Sequence, residues 1–290
     1  MLTARIDESG ASDAYAGAPR VPWWSFTKTA LATAALKLVA QGALTLDARV
    51  AGHPYTLRHL LQHRAGVPNY GGLPEYHEAV RRGDRPWPVK QLFDRIGIER
   101  PDFAPGQGWC YSNVGYLLVR QMIETATGAD IETALRRLVF DALDLRSVRR
   151  VASAADLAAT TWGNRRGYDP GWVYHGLLGG TPADAAALLH RLMAGEVLPA
   201  ELLAEMRSVH PIGGPVAGRP WQTTGYGLGL MIGEMASTGR AIGHSGGGPG
   251  SVCAVYHFAD RAVPCTVAAF AEADDEGVTE LEVARLAGPG

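Results

Sequence analysis

The chain has 290 residues, with 27 lysines and arginines against 29 acidic residues and a net charge of −2. That length buries a real core in one large domain or two interleaved ones. The balanced charge, with no basic stretch longer than a pair such as Arg149-Arg150 or Arg165-Arg166, excludes nucleic acid as the main partner.

No apolar run is long enough to span a bilayer, so no membrane partner is expected. The N-terminus lacks a signal-peptide pattern, so the chain reads as cytoplasmic, with a removed leader as the alternative. Cys110, Cys253 and Cys265 are odd in number and show no metal spacing. Buried free thiols are preferred to a framework of disulfides, although Cys253 and Cys265 could face each other on neighbouring strands.

In chain order, the first 25 or so residues read as short strands broken by turns at Ser9-Gly10 and Gly17. From Thr27 to Ala40 the sequence is rich in Ala and Leu and apolar on most sides, which predicts a buried helix stopped at Gly42. Helical pieces follow at Thr56 to His63, Ser112 to Thr127 and Ile131 to Leu143, and a Thr-Pro start opens another at Thr181-Pro182. After Pro211 the character changes. The segments Tyr226–Ile232, Arg240–His244, Val252–Phe258 and Val263–Phe270 read as a meander of strands, closed by a helix near Thr279–Leu286. Strands at both ends with helices between predict an α+β fold, in which residues 1–30 and 212–290 form a sheet domain and residues 31–211 an inserted helical lobe.

Ser25-Phe26-Thr27-Lys28 sets a hydroxyl and an amine three residues apart at a helix start, on one helical face. Lys28 is one of only three lysines, and a desolvated lysine can lose its proton near neutral pH where arginine cannot. Alone the pattern is weak; a helix-capping serine followed by a surface lysine is the bland alternative. Three further segments add to it. Tyr111 and Asn113 stand two apart after the Pro105-Gly106 turn, just before a helix. A strand runs into the glycine cluster His244-Ser245-Gly246-Gly247-Gly248, where backbone can approach a ligand closely. The third is the Leu60-Leu61-Gln62-His63 segment, running on to Gly66-Val67-Pro68.

In order and approximate spacing, Ser25-x-x-Lys28, Tyr111-x-Asn113 and His244-x-Gly246 resemble the three motifs of the serine β-lactamase-like superfamily. That group includes class C β-lactamases, D-Ala-D-Ala carboxypeptidases, D-aminopeptidases and related esterases. The Leu60–Pro68 segment and Tyr226-Gly227-Leu228-Gly229, read as a strand, resemble further family segments, so that the likeness runs from about residue 15 to 270. Tyr-x-Asn and His-Ser-Gly in place of S-D-N and K-T-G point to the class C and esterase-like branch.

The resemblance implies the β-lactamase/transpeptidase-like fold, an antiparallel sheet flanked by helices plus an all-α lobe, with the active site between them. It implies Ser25 as nucleophile, Lys28 as its base and Tyr111 as proton relay, with no cofactor and no metal. Asn113, His244, Gly246 and Gly247 would bind substrate, and the backbone N–H groups of Ser25 and Gly247 would form the oxyanion hole. Histidine at 244, where lysine is commoner, weakens recognition of a substrate carboxylate and favours esters or small amides. The alternatives are a D-Ala-D-Ala carboxypeptidase, a D-amino-acid amidase or a weak β-lactamase, and, from another class, a silent binding scaffold. Acyl transfer in place of hydrolysis is a further variant. His59 and His63, four apart, are weak metal candidates without a third ligand. Trp23 and Trp24 are candidates for an acyl-pocket wall or for packing; Trp162, Trp172 and Tyr174 line the cleft or anchor exposed loops. The stretch before Ser25 is short for the family, which leaves a sheet edge or face for a homodimer to cover.

Overall fold

The computed structural model describes residues 1–8, 10, 17–163 and 167–288; Ser9 and the Arg165-Arg166 pair lie outside them. The strands are β1 (Leu2–Asp7), β2 (Val21–Pro22), β3 (Arg149–Arg150), β4 (Leu178–Gly180), β5 (His210–Gly213), β6 (Thr224–Tyr226), β7 (Met231–Met235), β8 (Gly239–Gly248), β9 (Ser251–Phe258) and β10 (Cys265–Ala271). The helices are α1 (Thr27–Ala40), α2 (Leu57–Leu61), α3 (Pro74–Arg82), α4 (Val89–Ile96), α5 (Asn113–Thr127), α6 (Ile131–Leu135), α7 (Ala154–Ala158), α8 (Pro182–Met193), α9 (Ala200–Met206) and α10 (Gly277–Ala287).

Seven strands form one antiparallel sheet in the order β1-β10-β9-β8-β7-β6-β5, and β2, β4 and β3 form a small second sheet. β1 pairs with β10, Leu2 opposite Phe270, so both chain ends complete the main sheet. β9 and β10 are buried along almost their whole length. Their alternate residues enter two cores. Ala254, Tyr256 and Phe258 pack with Val283 and Ala284 of α10, whereas Cys253 and Val255 pack with α1 and α8 on the other face. Two covered faces are why these strands read as apolar runs and not as alternating patterns. The open edges are β1 and β5.

α1 is buried on all sides, with Leu31 and Leu36 fully enclosed; each such leucine contributes about 1.5–3 kcal/mol. Its threonines are satisfied internally: Thr33 Oγ1 donates to Thr29 O, and Thr29 Oγ1 donates to Gly229 O, both at 2.8 Å.

Several elements differ from the sequence reading. Tyr226–Ile232 is not one strand. Gly227-Leu228-Gly229-Leu230 is the turn of the β6–β7 hairpin, with Gly227 N–H donating to Leu230 O at 2.8 Å. Gly229 has φ +75°, and a Cβ there would lie 2.4 Å from Ala32 Cβ, so close packing on α1 demands glycine. The helix at Ile131 ends at Leu135 and loosens into a π-turn over Arg136–Phe140. His63 lies beyond α2 with φ +59°. α8 falls inside the 31–211 stretch read as lobe, yet it packs on β1, β9 and β10. Cys253 stands opposite Phe270 and Cys265 opposite Phe258, so those two thiols do not face each other.

Candidate active site

Ser25 sits in a one-turn 3-10 helix, Trp24–Phe26, that leads into α1. It does not cap α1: the residue at that position is Phe26, and no side chain caps the helix. The Ser25 hydroxyl is therefore left free for other partners. Trp24 adopts φ +41°, a costly conformation for a bulky residue, held by full burial and a bond from Nε1 to Ser251 Oγ at 2.9 Å. β8 presses against this turn. A Cβ on Gly246 would lie 2.4 Å from Ser25 N, and one on Gly248 would lie 2.3 Å from the Trp24 ring. β7 pairs with β8 only as far as Gly243. Beyond that point one edge of β8 is left to the Ser25 turn and the cleft.

Lys28, one helical turn on, is completely buried. Its Nζ lies 3.2 Å from Ser25 Oγ, 2.8 Å from Asn113 Oδ1 and 3.3 Å from His175 Nε2. Burial pushes its pKa well below the ordinary lysine value, and the charge of Glu276 opposes this only in part. A neutral amine has two N–H donors and one lone pair. If Asn113 Oδ1 and His175 Nε2 accept the two donors, the lone pair is left for the Ser25 proton. The Tyr111 ring stands 4.9 Å from Nζ. Burial raises the Tyr111 pKa, while a hydrogen bond with Ser25 opposes the rise, so the phenol keeps its proton at neutral pH.

The loop carrying Tyr111 and Asn113 is fixed from beneath. Asn69 Oδ1 accepts from the N–H of Asn113 at 3.2 Å, and Asn69 Nδ2 donates to Tyr111 O at 3.2 Å. His63 Nδ1 accepts from Ser112 N–H at 3.1 Å, and the His63 ring packs 4.3 Å from that of Tyr111. His59 instead completes the capping box of α2 with Thr56. The two histidines serve different loops, and no cluster suited to a metal occurs among the described residues.

His244 lines the cleft beside Ser25. Its Nδ1 bonds the Ser245 carbonyl, which can only accept, so Nδ1 carries the proton and Nε2 accepts from Tyr226 O–H at 2.8 Å. Burial above all lowers its pKa to about 3. The ring lines the cleft as a neutral group with both nitrogens already used. Trp23 is wholly buried against Phe26, and Trp172 and Tyr174 are buried in an aromatic cluster with Tyr70 and Trp87. These residues support the walls and do not anchor exposed loops.

Two cavities meet at Ser25. The larger, about 460 Å³, also touches Tyr111, Tyr226, His244, Gly247 and Glu276. The smaller, about 130 Å³, is lined by Trp24, Tyr70, Tyr76, Tyr168 and His175, with Asn113 and Gly247 shared between the two. Two cleft residues had no signal in the sequence. His175 precedes β4 in no recognisable motif. Glu276 comes into the site only because α10 starts beside β8, and its Oε1 would lie 3.4 Å from a Cβ on Gly247.

A protein-family model described as Beta-lactamase matches residues 10–286. Penicillin-binding protein 4* of Bacillus subtilis (strain 168) is 25% identical over 253 residues, covering 74% of this chain and 52% of that protein. Esterase EstB of Burkholderia gladioli is 28% identical over 158 residues, covering 48% and 40%. The chain thus spans about half the length, or less, of these curated relatives. Among solved structures, a D-stereospecific amidohydrolase from Streptomyces sp. superposes with a TM-score of 0.73 at 25% identity, covering 94% of this chain and 89% of that one. D-amino acid amidase from Ochrobactrum anthropi SV3 gives 0.79 at 20% identity, covering 98% and 93%, a likeness of fold. No described helix is long and apolar enough to cross a membrane.

Proposed function

From the premise that this chain belongs to the β-lactamase family of serine acyl hydrolases, we propose that it hydrolyses esters or small amides through an acyl-enzyme on Ser25. The observation that carries the reading is the approach of buried Lys28 Nζ to Ser25 Oγ at 3.2 Å, in surroundings that favour the neutral amine.

In this reading Lys28 takes the Ser25 proton as Oγ bonds to the substrate carbonyl carbon. The C=O electron pair moves onto oxygen, where the backbone N–H groups of Ser25 and Gly247 receive it. The carbonyl re-forms, the bond to the leaving group breaks, and the proton passes from Lys28 through the Tyr111 hydroxyl to the leaving oxygen or nitrogen. Water then attacks the Ser25 ester, gives a proton to the same pair, and Oγ leaves with a proton. Asn113 holds Lys28 and the substrate.

His244 is neutral and internally bonded, so the cleft offers no fixed positive charge there for a substrate carboxylate. That favours substrates without a free carboxylate over carboxypeptidase or β-lactam substrates. The esterase and amidohydrolase among the similar proteins are in keeping with this range. Self-association is part of the proposal too, since a solved relative of the fold is an octameric penicillin-binding protein homologue from Pyrococcus abyssi; light scattering tests it.

The test of the catalytic reading is hydrolysis of p-nitrophenyl butyrate by the wild type and Ser25→Ala. Turnover should vanish in the variant. Equal turnover in both proteins would remove Ser25 as the nucleophile.

A further inference from the structure

The larger cavity touches one side chain that carries a formal charge, and that charge is negative. Lys28 is buried behind Ser25 and is not among the lining residues, both His244 ring nitrogens are taken up by Tyr226 and the Ser245 carbonyl, and the other lining residues are uncharged, which leaves Glu276. Glu276 is not spent on structure. Its Oε2 pairs with Arg219 Nη2 at 3.1 Å, but the same guanidinium forks onto both oxygens of fully buried Glu280. Two carboxylates share one cation, so with both ionised the group carries one negative charge in excess; burial raises the Glu276 pKa, and Arg219 opposes that rise. Glu280 is further engaged by Ser245 Oγ, and no hydrogen bond from a described residue reaches Glu276 Oε1. The Glu276 side chain is 32% exposed, and Oε1 stands beside the Gly247 backbone at the rim of the reacting centre.

We propose that Glu276 selects substrates with a free ammonium close to the scissile carbonyl: amides or esters of unblocked amino acids, or short peptides with a free N-terminus. This inference deepens the acyl-hydrolase reading and rests on it for the meaning of the cleft. The geometry favours an ammonium on the acyl side. Gly247 is the expected boundary of the carbonyl oxygen, so a cation one carbon from that carbonyl falls within reach of Oε1. An ammonium there would give the carboxylate its second partner, whereas acetylation of the amine would remove the charge and set a carbonyl against Oε1. A partly desolvated ammonium–carboxylate pair is expected to change affinity on the order of tenfold.

The experiment is calorimetric titration of the Ser25→Ala protein with D- and L-alaninamide and with their N-acetyl forms. At least one enantiomer of alaninamide should bind about tenfold more tightly than its acetylated form. In Ser25→Ala carrying Glu276→Gln that preference should collapse toward equality. Equal binding of free and acetylated forms, or a preference that survives Glu276→Gln, would overturn the proposal. The comparison of free and acetylated amines needs no change at Glu276, so it stands even if that variant folds poorly. Binding here is read without turnover. Failure with p-nitrophenyl butyrate still hydrolysed would remove the amine selection alone, and lost hydrolysis with the preference intact would remove the acyl-hydrolase reading alone.

Discussion

The helical wall of the cleft pushes its cation toward the neutral form, while the sheet wall holds its cation charged by pairing. Lys28 on α1 meets Asn113, His175, Ser25 and Tyr111, and none of them offers a carboxylate. Arg219, by contrast, is penalised by burial but held charged by Glu280 and Glu276. A lysine buried among neutral hydrogen-bond partners is pushed toward the free base by desolvation, against the more distant charge of Glu276, which suits proton transfer. An arginine outnumbered by glutamates leaves a surplus negative charge facing the cavity, which suits selection. In the proposed reading the two walls divide the work: the helical side moves protons, and the sheet side sorts substrates.

The largest effect expected from breaking this division is on the helical wall. Lys28→Ala and Tyr111→Phe should each lower kcat for p-nitrophenyl butyrate by at least ~10²-fold. Near-normal turnover in either variant would take that residue out of the proton path. A smaller effect is expected one step back, at His175. His175→Leu removes an acceptor for Lys28 Nζ and frees the amine to turn away from Ser25, so kcat should fall about tenfold with little change in KM. A rise in KM at constant kcat would instead mark His175 as part of the substrate wall, through the small aromatic cavity that it lines. The smallest effect tests the coupling between the walls. The acid limb of kcat/KM on an uncharged ester should report Lys28 losing its proton in the free enzyme. Glu276 stabilises the ammonium form of Lys28, so Glu276→Gln should lower the Lys28 pKa further and move that limb to lower pH, by less than about one unit. An unmoved or raised limb would mean that the walls are electrically independent.

The proportion of this arrangement legible in the sequence follows the same division. Ser25 and Lys28 are one helical turn apart, and Tyr111 and Asn113 two residues apart, so local spacing already implies their neighbourhood. The buried helix after Ser25 and the strands on either side of His244 followed from composition and from glycine punctuation. The sheet wall was harder to read. Glu276 and Arg219 are separated by 57 positions, and only the docking of α10 on β9 and β10 joins them. His175 is 147 positions from Lys28. His244 was visible as a motif position, yet its partners on Tyr226 and on its own backbone, which decide its charge, were not. Tyr226–Ile232 read as one strand because its glycines carry no periodicity, and the use of Gly227-Leu228-Gly229-Leu230 as a turn against α1 emerges only from tertiary packing.

The central claim is that neutral Lys28 activates Ser25. Its most direct test is labelling by a fluorophosphonate at neutral pH, with the modified residue located by peptide mass mapping, in the wild type and in Lys28→Ala. The account predicts rapid, single-site phosphonylation of Ser25 that slows by at least ~10²-fold without the lysine. Labelling on another residue, or at an equal rate in the two proteins, would contradict it.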